Sequence, residues 1–243
     1  MTANAEGRNA DEPVAAAIGL LARQGFDATS VEGLAEAAGM SRSTFFRKFG
    51  SKEDVVFADH ERILGHVNAL LAGSTRDPLA AVCDAALLVF NHHLRNPETS
   101  RARYRLLQAV PALRDRELVT SHRYERAFLR HVMDGLPDGG AHEHTAVAFA
   151  ASVVAVHNAF LREWLRSGPE AAEDAAAGAP DAAPGDRQRA ASLATELHAL
   201  SRMFRPVLLG RGRAPQPPTV VVTVLADAVD KEAIAQAVRD ALP

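Results

Sequence analysis

The stretch from Gly25 to Asp54, GFDATSVEGLAEAAGMSRSTFFRKFGSKED, decides how this chain of 243 residues is read. Thr29 and Glu32 have the spacing of a capping box, which predicts a helix opened by Thr29 and running to about Ala38. Gly39 supplies a left-handed turn residue, and Ser41 stands where it can cap a second short helix ending near Phe49. Gly50 and Ser51 stop and restart the chain, with Ser51 and Asp54 spaced to cap a third helix. Two short helices across a tight glycine turn are the geometry that seats the second helix in a DNA major groove. The expectation is an all-α chain with a three-helix head over 13–51 and a larger helical body behind it.

The same residues resemble the TetR/AcrR family of bacterial regulators. The family shape is Gly-Phe, Thr-Thr/Ser-Val, an Ile/Leu-Ala pair, Ala-Gly-Val/Met-Ser, an aromatic pair and Ser-Lys-Glu. Here it is supplied by Gly25-Phe26, Thr29-Ser30-Val31, Leu34-Ala35, Ala38-Gly39-Met40-Ser41, Thr44-Phe45-Phe46, Phe49 and Ser51-Lys52-Glu53. The resemblance covers roughly residues 13 to 60. Three positions depart from it: Ser43 stands where the family usually has Gly, Phe46 where it often has Tyr, and Lys48 where His is common. Beyond the head the likeness is one of size and helix rhythm. The resemblance implies two subunits paired through the last helices of the body. It also implies heads on a palindromic double-stranded operator and release by a small-molecule effector. It assigns phosphate contact to Thr29, Phe46, Lys48 and Lys52.

Charge distribution agrees with a DNA-docking head. The net charge of −3 argues against nucleic acid, but between Glu36 and Glu53 lie Arg42, Arg47, Lys48 and Lys52 with no acid among them. A local basic footprint is what docking on phosphates requires. The candidate DNA surface is Thr29, Ser41, Arg42, Ser43, Thr44, Phe46, Arg47, Lys48 and Lys52. Arg42 sits at the N-terminal end of the second short helix, the end that meets base edges, where a bidentate grip on guanine is its functional reading. The bland readings stand beside these: Thr29 and Ser41 as caps, Phe46 as packing, Arg42 and Arg47 as solvated arginines. Phe45, Phe49, Val31, Leu34 and Met40 are expected in the core.

Around the head the chain divides by punctuation. Residues 1–12 are polar and read as a disordered arm, with Pro13 in the first turn of the opening helix. A long helix is expected from Lys52 past Leu71, shared between head and body. Further helices are expected at 79–95, 98–109, 113–135, 142–166 and 188–205, making an effector-binding and dimerisation body over 52–206. An Ala/Gly/Pro/Asp-rich loop falls at 168–187. The tail, 207–243, has a β-branched run at 219–225 that favours strand and a helix at 230–242. The single cysteine, Cys83, excludes an intrachain disulfide and fits a reducing cytoplasm. The polar N-terminus is not a signal peptide, and no apolar run is expected to reach the length needed to span a membrane.

Ten histidines invite a metal or catalytic reading. No pair has zinc-motif spacing, His92 and His93 are adjacent and so diverge on a helix, and each reads as structural or solvated. The exception is His157-Asn158, a polar pair inside an apolar helix that must find a partner. That partner is a neighbouring side chain, the dimer seam, or an effector in a mostly apolar cavity that Tyr104, Tyr124, Phe160 and Trp164 help to line. Paired carboxylates, a nucleophile beside a base and a phosphate loop are all missing from the pattern, so neither an enzyme nor a cofactor is expected. Two readings compete: a repressor released by a small, largely apolar effector, and a DNA-binding regulator with no effector or an activating role.

Overall fold

The computed structural model describes residues 3–136, 142–167 and 184–210. The chain divides into a first unit, Met1–Gly210, and a second, Arg211–Pro243. Every described element is helical, as the capping and periodicity require: α1 (Ala3–Gln24), α2 (Val31–Ala37), α3 (Arg42–Phe49), α4 (Lys52–Val55), α5 (Ala58–Ala72), α6 (Pro78–Arg95), α7 (Pro97–Ala109), α8 (Pro111–Asp134), α9 (Glu143–Arg166) and α10 (Pro184–Arg205), closed by a π-turn at Pro206–Gly210. The turn at 137–140, the expected loop as far as 183, the strand at 219–225 and the helix at 230–242 lie outside the described residues.

Several boundaries differ from the sequence expectation. Residues 3–12 are helical rather than a disordered arm, and Pro13 lies inside α1; their alanines, glutamate and arginine are good helix formers. Residues 184–187 belong to α10, not to the loop. Thr29 does not cap α2. Ser30 does, its Oγ accepting from the Gly33 amide at 3.1 Å, while the buried Thr29 hydroxyl donates to the Gly25 carbonyl at 2.7 Å. The long helix expected from Lys52 is broken: Val56 and Phe57 bond back by three residues, to Glu53 and Asp54, and α5 restarts at Ala58. The Val56 carbonyl instead accepts from Nε of Arg103 on α7 at 2.7 Å.

Two apolar cores hold the first unit together. One joins the inner faces of α1–α4, through Ile18, Leu21, Leu34, Phe45 and Phe49, to Ala102, Leu106 and Leu107 of α7 and Leu113 of α8. The head therefore completes its core with residues from far along the chain. The second core fills the body from Ile63 and Val67 of α5 through Phe90, Phe128, Phe149 and Trp164 to Leu193 and Leu197 of α10. α8 ends tightly against the start of α6, where Gly135 leaves room for Pro78. One helix, α9, is long and apolar enough by length and composition to cross a membrane. This corrects the expectation that no apolar run reaches spanning length: the polar residues of α9 are too few to lower its mean hydropathy below that of a spanning helix. Phe149, Ala150, Val153 and Trp164 on this helix are buried in the body core.

Candidate functional site

The head presents α3 on an open surface. Ser41 caps the helix, its Oγ accepting from the Thr44 amide at 3.2 Å and donating to the Thr44 hydroxyl at 2.9 Å. Gly39, at φ +66°, turns the chain between α2 and α3 in the left-handed region that glycine tolerates. Phe45 and Phe49 point inward, one turn apart, and pack edge to face at 5.1 Å. That anchoring leaves Arg42, Ser43, Phe46 and Arg47 together on the outer face. The Phe46 ring is 41% exposed, with the Arg42 guanidinium 5.6 Å from its centroid. Arg42 also pairs with Glu32 of α2 at 3.1 Å. Both side chains are mostly exposed, and such a pair is worth at most about 1 kcal/mol, so a guanine edge can displace Glu32 cheaply.

The flanking candidates divide. Lys48 lies at the edge of α3, beside Val14 and Asp54 in a groove between head and body. Lys52 is turned inward: its Nζ donates to the carbonyls of Phe26 at 2.6 Å and Thr29 at 3.3 Å, 4.4 Å from the Phe26 ring centroid. In the free protein it clamps α4 to the turn before α2. Thr29 is 3% exposed, so its side chain is spoken for. The open basic face therefore comprises Arg42 and Arg47, with Lys48 at its margin.

Between the two cores lies a cavity of about 80 Å³. Of the residues expected there, Tyr104, Tyr124, His157 and Asn158 line it, and Phe160 and Trp164 do not. Phe160 is half-buried against the body core. Trp164 is buried further along α9, its indole nitrogen donating to Asp186 of α10 at 3.0 Å. The polar wall is richer than the sequence reading allowed. His60 and His93, Arg103 and Glu117 all face the cavity, and His92 and His93, read as structural or solvated, are both buried.

A buried charge cluster forms one side of it. Both Asp59 oxygens accept from the terminal guanidinium nitrogen of Arg103 at 2.6 Å, and His92 approaches the same carboxylate at 3.5 Å. Burial alone would raise the Asp59 pKa, but Arg103, with His92 and His60, holds it well below the ordinary range. Arg103 also donates to Nε2 of His60 at 3.4 Å, and the other nitrogen of His60 meets the Tyr124 hydroxyl at 3.2 Å. Burial pushes His60 down to about 3 and His157 to about 4, and takes His93 well below its usual value, so all three rings are neutral at pH 7. Helical register was the available signal: Asp59 and His60 stand four and three residues before Ile63, and Arg103 four before Leu107, all on buried faces. Among the described residues no group of three or more histidines, cysteines or acids is placed to hold a metal. Cys83 is buried, its thiol pushed up to about 12, and unreactive.

An α-helical head with a capped, exposed recognition helix on a larger helical body defines a helix-turn-helix DNA-binding regulator. Residues 14–58 match the model of the family described as "Bacterial regulatory proteins, tetR family". The head is therefore that of the TetR/AcrR family of transcriptional regulators. MftR of Mycobacterium tuberculosis, named for transcriptional regulation of mycofactocin biosynthesis, is 38% identical over 91 residues. That match spans 37% of this chain and 46% of MftR, less than half the relative's length. Two solved structures resemble the chain more loosely. NalD of Pseudomonas aeruginosa, the secondary repressor of a multidrug efflux pump, is 17% identical, covering 84% of this chain and 98% of its own at a TM-score of 0.48. PfmR of Thermus thermophilus is 18% identical, covering 79% and 98% at 0.46. Overlays this loose leave the head match to define the family.

Proposed function

We propose that the chain is a cytoplasmic, homodimeric repressor that holds a palindromic operator through α3 and leaves it when a small, largely apolar molecule enters the body. Arg42, Ser43, Phe46 and Arg47 read the major groove. Ser41, Thr44 and Lys48 flank them towards the phosphates, and Lys52 contributes once DNA draws it from its internal carbonyls, while the buried Thr29 side chain stays on the Gly25 carbonyl. Pairing runs through α9 and α10. In support, the apolar α9 leaves most of its length unburied within one chain, and Val147, Met203 and Val207 are exposed on these last elements. Two-fold pairing would present the two α3 helices to successive half-sites.

The observation that carries the release step is the position of Arg103. It lines the cavity and at the same time holds the Val56 carbonyl at the break between α4 and α5. A ligand that moves Arg103 moves the joint on which the head rests. It shifts the equilibrium only as far as it binds the DNA-free state better than the bound one. The small cavity favours a second reading, in which the body serves dimerisation alone. The test is fluorescence anisotropy of selected operator duplexes with the full chain, across salt and a panel of small apolar compounds, with sedimentation for the oligomer. A dimer whose operator affinity falls with a compound that binds the body is expected. A persistent monomer, or an affinity no compound shifts, refutes the corresponding half.

A further inference from the structure

Among the fully buried polar side-chain atoms that line the cavity, one lacks a hydrogen-bond partner. Arg103 is held by Asp59 and Val56, His60 by Tyr124 and Arg103, and His93 by Ser100 at 3.1 Å. His157, 7% exposed, keeps a buried Nε2 with no hydrogen-bond partner. The neighbouring Asn158 amide sets its tautomer. Asn158 turns its Nδ2 towards Ser121 Oγ at 3.4 Å, which leaves Oδ1 facing Nδ1 of His157 at 3.2 Å. With Oδ1 accepting, Nδ1 carries the proton and Nε2 presents a bare lone pair; with the amide reversed Nε2 would carry the proton, and a ligand hydroxyl, donor and acceptor at once, meets either form. A buried acceptor without a donor costs about 1–3 kcal/mol, and a ligand that supplies the donor recovers it.

Deepening the effector reading above, we infer that the cavity takes a neutral, mainly apolar molecule of the phenol or alcohol class, whose hydroxyl donates to Nε2 of His157. Phe57, Val89, Leu107, Phe128, Val154 and Leu161 give it apolar walls. Both arginines on the wall already face an acid, Arg103 bonded to Asp59 and Arg162 close enough to Glu117 to act on its charge, so an anion gains no unopposed countercharge. A cation gains little beside buried neutral rings and an arginine. The volume of about 80 Å³ is roughly half that of an engineered cavity which admits benzene. The ligand is therefore single-ring or a short chain, and the walls yield to seat it.

Titration calorimetry of the full chain without DNA tests this with three probes of one size: phenol, toluene and benzoate. Phenol is expected to bind at least about fivefold tighter than toluene, the worth of one hydrogen bond to a buried acceptor, and benzoate weakest. In His157→Phe the preference for phenol over toluene should vanish. Should that variant fail to fold, ¹⁵N-histidine spectra of the unaltered protein decide instead: the Nε2 resonance of His157 moves with phenol and stays put with toluene. Toluene binding as tightly as phenol, a preference that survives His157→Phe, a resonance indifferent to phenol, or no binding by any probe each overturns the assignment. Phenol binding as described while operator affinity stays unchanged defeats the release reading and leaves this assignment standing. Release by other apolar compounds with no preference for hydroxyl does the reverse.

Discussion

Replacing Arg103 with methionine removes a buried cation and keeps most of its volume. Arg103 and Asp59 are 4% and 5% exposed, and the guanidinium bonds both carboxylate oxygens at 2.6 Å. Two unit charges about 4 Å apart attract by about 4 kcal/mol at an effective dielectric of 20. Removing one of a buried pair typically costs about 3–5 kcal/mol, because the other charge stays buried alone. The Val56 carbonyl also loses the donor that closes the gap between α4 and α5. Arg103→Met should therefore destabilise the protein by about 3–5 kcal/mol in urea unfolding followed by far-UV circular dichroism. The double replacement with Asp59→Leu should recover most of that loss, since neither charge is then stranded. A single replacement costing under about 1 kcal/mol, or a double whose cost is the sum of the two singles, would refute a tightly coupled buried pair.

Acid should weaken the fold through the cavity histidines. His60 and His157 titrate near 3 and 4 when folded and near 6.5 when unfolded, so their stabilisation is whole above pH 6.5 and drains as pH falls towards 4. At pH 5 each contributes a loss of about 2 kcal/mol, and a melting temperature flat between pH 7 and 5 contradicts the burial of these rings. Gly135→Ala would place a Cβ 2.8 Å from the Pro78 ring and should cost about 1–3 kcal/mol as overpacking; a neutral effect in denaturant titration removes the close approach of α8 to α6. Ser30→Ala should cost about 1 kcal/mol as a lost N-cap, and a change within a few tenths would show that α2 has another cap. Arg42→Ala should weaken operator binding by about 1–3 kcal/mol and relax the preference at one position per half-site. Binding curves across single-base operator variants that are unchanged by this substitution would take Arg42 out of the reading set.

The local rules of the chain settled the head and most of the body helices because each rests on neighbours in sequence. Ser41, Ser51 and Asp77 cap the helices they precede by reaching the third amide beyond, a contact no distant residue need assist. The spacing of Phe45 and Phe49 fixes which side of α3 is inward, and so which side is left for DNA. Single-residue choices were less secure: Thr29 and Ser30 are both competent caps, and packing of Thr29 against the Gly25 turn decided between them. What lay between the helices was decided only by tertiary structure. Nothing near Val56 in the sequence announces a break, because the group that takes its carbonyl is Arg103, 47 residues away. Helical register turns Asp59, His60 and Arg103 inward on their own helices, but nothing local to any of them, or to His93, names a partner. They become a buried network only when α5, α6 and α7 meet, since a lone ionisable group avoids burial and its partner must come from another element.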